Sequence, residues 1–366
     1  MKVVLMKFPY DEAILHKAYE MSEMLAYDIV GVISCDLNET SKFYNGYPVF
    51  PLMEIFNLTF DAAIAACDDE TFNTNVPKFV KLGMGTKEQF KDLFWLLQQF
   101  MIKKYEHIAD PVIQRTLKYW ETHELSVFNQ HFEKWKQTRH VLYIDEECDL
   151  PYVVFDTIEG KKKRMYYPRG QATESNKNVM LNLMQEQAPT SPHLYIKGKH
   201  KINAGDIVID AGVCEGNFAL RYIDLCSKMY LFEPDENWFE PLQKTFKDYG
   251  DKVEFIPKFL SDKTDDKNIT IDDALPDFKG KNIFLKMDIE GAEPSALRGA
   301  KRILTNNKVK ASVCTYHNAY DLIKVKSIFQ SYGYKTSTSD GYMVFMYDPN
   351  IFNTMDFRKG ICYAEN

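Results

Sequence analysis

Lys286-Met-Asp288-Ile-Glu290-Gly-Ala-Glu293 puts four charged side chains directly after the apolar run Asn282-Ile-Phe-Leu. If the strand continues to Glu290, Lys286, Asp288 and Glu290 share one face by the strand period of two. Three charges on one face of a central strand are costly unless they meet a ligand, a metal or one another. Asp288 and Glu290 are therefore the first candidates for chemistry, as proton acceptors or as oxygen ligands for a divalent cation, with Lys286 beside them. Glu293 falls near the start of the next helix, where a carboxylate is favoured by the helix dipole. His317, just past the apolar run Val309 to Tyr316, titrates near neutrality and is a further candidate base.

A second group of candidates lies earlier. Asp206-Ile-Val-Ile-Asp210 is a short apolar run that enters Ala211-Gly212-Val-Cys-Glu215-Gly216-Asn217, and Phe218, Tyr222, Leu225 and Cys226 then recur at helical spacing. Lys228-Met-Tyr-Leu-Phe232 follows, closed by Glu233-Pro-Asp235, so the stretch reads as β-α-β. Gly212 and Gly216 let the backbone turn sharply and let a ligand approach where a Cβ would clash. The turn is not the dinucleotide fingerprint, which needs Gly-x-Gly-x-x-Gly. Glu215 stands where an anion would have to dock, so the turn suits the sulfonium and ammonium of an S-adenosyl group better than a pyrophosphate. Glu233 at the tip of the second strand can accept both hydroxyls of a ribose diol.

These candidates need a sheet to bring them together. Val253 to Ile256 is a third strand, leading to Leu260-Ser261-Asp262; Asn282 to Lys286 is the fourth and Val309 to Tyr316 the fifth. One helix is expected through Ala296, Leu297, Ala300, Ile303 and Leu304. Tyr334 to Thr338 and Tyr342 to Tyr347, joined by Ser339-Asp-Gly341, read as a closing hairpin. The sum is a doubly wound seven-stranded α/β sheet, whose ligands bind beyond the carboxyl ends of the strands. Upstream, Pro151 to Phe155 and Arg164 to Tyr167 flank Glu159-Gly160 as a hairpin that carries the basic run Lys161 to Arg164. Pro168 to Ser175 is polar and suits a loop over a site.

The N-terminal part alternates strands (Lys2 to Phe8, Ile29 to Cys35, Gly46 to Phe50, Phe60 to Ala66) with a helix that places Ile14, Ala18, Met21 and Leu25 on one face. Its first turn, Phe8-Pro-Tyr-Asp11, has no glycine, which predicts no methyl-donor site there. Residues 86–136 are helical in pattern, with Phe90, Leu93, Leu97, Phe100 and Met101 on one side and then Val112, Leu117, Trp120 and Leu125, a packing surface or an oligomer interface. The expected domains are residues 1–84, a small Rossmann-like α/β domain; 85–140, a helical connector; and 141–366, the main domain with its hairpin and cap loop.

Net charge is -7 with both signs mixed along the chain, which argues against general affinity for nucleic acid or anionic lipid. The seven cysteines form no Cys-x-x-Cys pair, and no apolar run approaches the roughly 20 residues of a membrane span. A soluble cytoplasmic protein with reduced thiols is expected.

In order, Asp210-x-Gly-x-x-x-Gly216, Phe232-Glu-Pro-Asp235, Leu260-Ser-Asp262, Lys286-Met-Asp-Ile-Glu-Gly-Ala-Glu293 with Leu297-Arg-Gly-Ala300, and Tyr316-His317 resemble the FkbM-type methyltransferases over about residues 145 to 347. The resemblance implies a Rossmann-like class I methyltransferase that transfers a methyl group from S-adenosylmethionine to a hydroxyl, often of a sugar or glycan precursor. By position it implies that Asp210, Gly212, Glu215, Gly216 and Asn217 hold the methionine part, Glu233 the ribose, and Ser261 and Asp262 the neighbourhood of the adenine. Asp288 and Glu290 would face the transfer centre, with Lys286 and His317 as further catalytic candidates. Asp288, Glu290 or His317 could remove the proton, or two carboxylates could hold Mg²⁺ instead. The competing reading is a non-catalytic binder of a nucleotide or nucleotide sugar.

Overall fold

In the computed structural model, which describes residues 1–9, 11–36, 38–128, 141–170 and 186–366, the fully apolar runs become strands covered on both faces. The chain divides into two units, Met1–Asn129 with Pro349–Asp356, and Gln130–Asp348 with Phe357–Asn366.

The first unit holds β1 (Lys2–Lys7), β2 (Asp28–Ser34), β3 (Phe43–Tyr44), β4 (Tyr47–Pro51), β5 (Ala62–Ala66) and β6 (Phe90–Lys91), in the order β3-β4-β2-β1-β5-β6. Leu15, Ala18 and Met21 are the buried face of the helix Glu12–Met24, one residue round from the face expected through Ile14. The helices Leu93–Tyr105 and Pro111–Trp120 start on Asp92 and Asp110, whose side chains accept from backbone N–H groups of the first turn. Both belong to this unit, so the stretch expected to be a connector is part of the N-terminal unit, which also recruits the helix Ile351–Thr354. Of the expectations above, Tyr10 in the first turn, residues 129–136 of the helical stretch and residues 171–175 of the cap loop lie outside the described residues.

The second unit opens with an antiparallel sheet of β7 (Tyr143–Asp145), β8 (Leu150–Asp156) and β9 (Lys162–Tyr166), the last two forming the expected hairpin. The basic run on it is matched by carboxylates: Lys161 with Glu159 and Asp224, Lys163 with Asp248, and Arg164 with Asp145. Next come β10 (Ile207–Ala211), β11 (Lys228–Phe232), β12 (Val253–Ile256), the short pair β13 (Phe259–Leu260) and β14 (Asn268–Ile269), β15 (Asn282–Met287), β16 (Lys308–Cys314), β17 (Lys335–Thr338) and β18 (Ile361–Glu365). The seven-stranded sheet runs β12-β11-β10-β15-β16-β18-β17, parallel from β12 to β16, with β18 antiparallel to both neighbours.

Three local expectations are corrected. The partner of β17 is β18, not Tyr342–Tyr347; the buried run Ile361-Cys-Tyr-Ala slots between β16 and β17, and Met343 makes only an isolated bridge to Arg358. Strand β15 stops at Met287, because Glu290 and Gly291 take φ of +55° and +94° and turn the chain out of the sheet, so Glu290 does not continue a strand face. The helix that follows is two, Glu293–Arg298 and Lys301–Asn306. They break at Gly299, where a Cβ would stand 2.2 Å from the Ser261 carbonyl oxygen.

Candidate active site

From β10 the chain moves outward to β11 and β12, then returns to the other side of β10 at β15. Strand order therefore reverses at the carboxyl ends of β10 and β15, the place where open α/β sheets bind ligands. Asp210 and Lys286 are register partners on these two strands, and their side chains form a buried ion pair at 3.1 Å. Lys286 Nζ also donates to the Ala211 and Gly212 carbonyls. Burial disfavours its charge, but Asp210 and Asp288 outweigh that and raise its pKa. Lys286 is thereby committed to the turn as a fixed cation.

Gly212 and Gly216 have φ of +78° and +83°. A Cβ on Gly212 would sit 1.7 Å from the Asp288 carbonyl oxygen, and one on Gly216 would sit 3.0 Å from Leu242. Close approach is thus needed by the protein itself at both positions. Asn217 opens the helix Asn217–Tyr222. Glu215 is buried, and burial pushes its carboxyl up to about 7. Glu233 ends β11 with Oε2 accepting from Cys214 N at 2.8 Å and Oε1 from Asp235 N at 3.0 Å. A carboxylate offers about four acceptor positions, so lone pairs remain for a ligand. A cavity of about 170 Å³ adjoins Glu233, walled by Leu231, Phe239, Leu242, Phe255, Ile256 and Pro257 among others. Asp262 instead pairs with Arg298 at 3.1 Å, and the Ser261 backbone packs on Gly299.

Asp288 is the hub. Its Oδ2 accepts from the Tyr195 hydroxyl at 2.8 Å and lies 3.3 Å from His193 Nε2; its Oδ1 accepts from Tyr316 at 3.2 Å and lies 3.4 Å from His317 Nε2. Burial alone would raise its carboxyl, yet His193, His317 and Lys286 outweigh burial and hold it well below the usual carboxylate range. His317 is buried, with Nδ1 3.1 Å from Glu293 Oε1 and Nε2 3.5 Å from Glu290 Oε2. Burial opposes its charge, but these carboxylates and Asp288 prevail and raise its pKa. Arg358, itself paired with Asp348 at 2.7 Å, donates to the Tyr316 and His317 carbonyls and fixes that backbone. Glu293 is fully buried and accepts from Ile289 N at 2.9 Å, whereas the Glu290 side chain is 83% exposed.

The structure therefore gathers Asp210, Lys286, Asp288, Glu293 and His317 in one network, with Glu290 at its rim and Glu233 at the end of β11. The residues missed from sequence are His193, Tyr195, Cys314 and Arg358, and Tyr316 stands in the sequence motif only as the neighbour of His317. The one local signal was His193-Leu-Tyr195, a polar alternation between prolines and a basic stretch. In the first unit a cavity of about 620 Å³ is lined by Cys67, Asp68, Asp69, Glu70, Phe94 and Phe352 among others, with Lys17 bound to Glu20.

Residues 247–336 match the Methyltransferase FkbM domain, a match that supports a methyltransferase. No curated protein matches the chain. Among solved structures it is similar to a methyltransferase FkbM from Methylobacillus flagellatus, at 14% identity and TM-score 0.42 over 100% of this chain and 90% of that one. It is also similar to a SAM-dependent methyltransferase from Aquifex aeolicus (13%, TM-score 0.33, 53% of this chain and 97% of that one). A third is a precorrin-6y C5,15-methyltransferase from Geobacter metallireducens (12%, TM-score 0.32, 46% and 85%). Among the described residues no helix is long and apolar enough to cross a membrane.

Proposed function

We propose that the protein methylates a hydroxyl of a small neutral acceptor, a sugar or glycan precursor, with S-adenosylmethionine as donor. The observation that carries this reading is the Asp288 carboxylate, 18% exposed at the switch point and held from behind by two phenols and two imidazoles. A carboxylate so fixed accepts a hydrogen bond from an incoming hydroxyl without reorganising.

The donor supplies an electrophilic methyl group on a sulfonium, so the chain has mainly to align and to receive a proton. In this reading Glu233 accepts from the ribose hydroxyls, and Asp210, the Gly212–Gly216 turn, Glu215 and Asn217 surround the methionine part. The apolar cavity beside Glu233 supports a planar base there more than Asp262 does, since Asp262 is bound to Arg298. Asp288 orients the acceptor oxygen. As the new O–C bond forms and the C–S bond breaks, the hydroxyl proton becomes strongly acidic, and even a weak base such as Asp288 takes it. His317, its pKa raised by the carboxylates around it, steadies Asp288 as an anion and Lys286 anchors the turn.

A sugar is favoured by the aromatic flank. Phe345 packs on Tyr316 and His317 with ring centroids 5.0 and 5.3 Å away and touches Tyr347, which is 77% exposed. Such faces suit C–H groups of a pyranose while carboxylates take its hydroxyls. The acidic lining of the first unit's cavity weighs against the nucleotide-binder alternative. Incubation with methyl-labelled donor and a panel of monosaccharides and nucleotide sugars tests the proposal. Label is expected in an ether linkage on a hydroxyl; transfer only to nitrogen or carbon acceptors would sink it.

A further inference from the structure

Cys314 ends β16 fully buried, and its Sγ is 3.4 Å from His193 Nε2. The same nitrogen is 3.3 Å from Asp288 Oδ2. An imidazole nitrogen, a carboxylate oxygen and a sulfur thus converge, all within 4.8 Å of one another. A tetrahedral Zn²⁺ with bonds of about 2.0 to 2.3 Å requires ligand atoms about 3.3 to 3.6 Å apart. Both separations measured from Nε2 lie in that range.

We propose that His193, Asp288 and Cys314 form a site for a thiophilic divalent cation such as Zn²⁺ or Co²⁺, with a fourth position open to an oxygen ligand. A second, independent observation is the outer layer. Glu186 Oε2 lies 3.4 Å from His193 Nδ1, so a carboxylate holds the ring nitrogen that faces away from the cluster, as it does for most metal-bound histidines. Tyr195 and Tyr316 hold the two Asp288 oxygens. The buried Tyr195 hydroxyl also lies 3.4 Å from His193 Nε2 and 4.0 Å from Cys314 Sγ, so it borders the trio, and Asp288 is the member of the three with appreciable exposure. The buried Lys286 is engaged by Asp210 and does not compete for these ligands.

The donor set selects the metal. Mg²⁺ prefers oxygen ligands, whereas one thiolate and one imidazole favour Zn²⁺ or Co²⁺. The neighbouring trio Asp288, Glu293 and His317 is a poorer candidate, because the two His317 nitrogens face different carboxylates. Binding at the proposed site releases the thiol and imidazole protons. The site stands on geometry alone; its use, to bind an acceptor hydroxyl and make it more acidic, rests on the methyltransferase reading above.

Chelator-treated full-length protein titrated with Co²⁺ tests the site. One equivalent should give the visible bands of four-coordinate cobalt and a thiolate-to-cobalt charge-transfer band, displaced by Zn²⁺ and indifferent to Mg²⁺. Cys314→Ser should remove the charge-transfer band, and Glu186→Gln should weaken cobalt binding about 10- to 100-fold. No cobalt spectrum in the wild type, or a charge-transfer band that persists in Cys314→Ser, would overturn the proposal. If Cys314→Ser does not fold, Glu186→Gln decides, and unchanged cobalt affinity there would also overturn it. Calorimetry of the metal-free protein with S-adenosylmethionine separates the two readings. Donor binding without a cobalt site removes the metal and leaves the methyltransferase; a cobalt site without donor binding does the reverse.

Discussion

Gly212 and Asp288 are in backbone contact: a Cβ on Gly212 would lie 1.7 Å from the Asp288 carbonyl oxygen, while Asp288 N donates to Ala211 O at 3.0 Å. The turn after β10 and the end of β15 are one rigid piece. Gly212→Ala should therefore lose stability by about 3 kcal/mol or more, from strain at a left-handed φ together with displacement of the strand end. Urea denaturation measures it. A variant of wild-type stability that has lost only donor affinity would contradict this contact.

Glu233→Ala should weaken S-adenosylmethionine binding by about 1.5 to 3 kcal/mol, the range for hydrogen bonds to a charged group. Cys214 N and Asp235 N lose their acceptor in the same variant, so the comparison needs a melting curve beside the calorimetric titration. Unchanged affinity would remove the ribose assignment.

Asp288→Asn keeps the shape of the hub but not its charge, and turnover should fall at least about a hundredfold with the fold retained. Glu290→Gln, on an 83% exposed side chain at the rim, should stay within about threefold of wild type. Equal losses in the two variants would place Glu290 in the transfer centre after all.

The buried Glu215 carboxyl titrates at about 7 in the folded protein against an ordinary 4.5. A raised folded pKa contributes stability that is complete below the ordinary value and is lost as pH rises through the folded one. Between pH 4.5 and 7 the wild type should thus lose on the order of 3 kcal/mol relative to Glu215→Gln, with no further divergence above. Parallel stability curves for the two proteins across that window would refute the burial argument.

Much of this site could be read along the chain. The switch-point strands are apolar runs ended by charge, and Asp210, Glu233, Asp288 and His317 each follow one. What could not be read depends on contacts between distant residues or on backbone angles. Tyr195 reaches Asp288 across 93 residues, and nothing local to either marks the other. Glu290 fits a strand pattern by spacing, but its positive φ takes it out of the sheet. The final strand escaped because its partners, β16 and β17, are themselves adjacent in sequence order and Tyr342–Tyr347 offered a nearer, equally apolar match.

The excursion of Pro349–Asp356 into the first unit bears on how the protein is made and on how it could be recombined. Lys104 Nζ donates to the Thr354 and Met355 carbonyls and Phe94 stacks on Phe352, so the N-terminal unit lacks part of its own packing until that segment leaves the ribosome. That last part of its packing is added only after residues up to Asp348 of its partner have been made. Removing residues 1–140 would strip the Ile351–Thr354 helix of its contacts in the middle of the remaining chain. Exchange of either unit between genes would need two crossovers, one before Pro349 and one after Asp356, in addition to the boundary near Asn129.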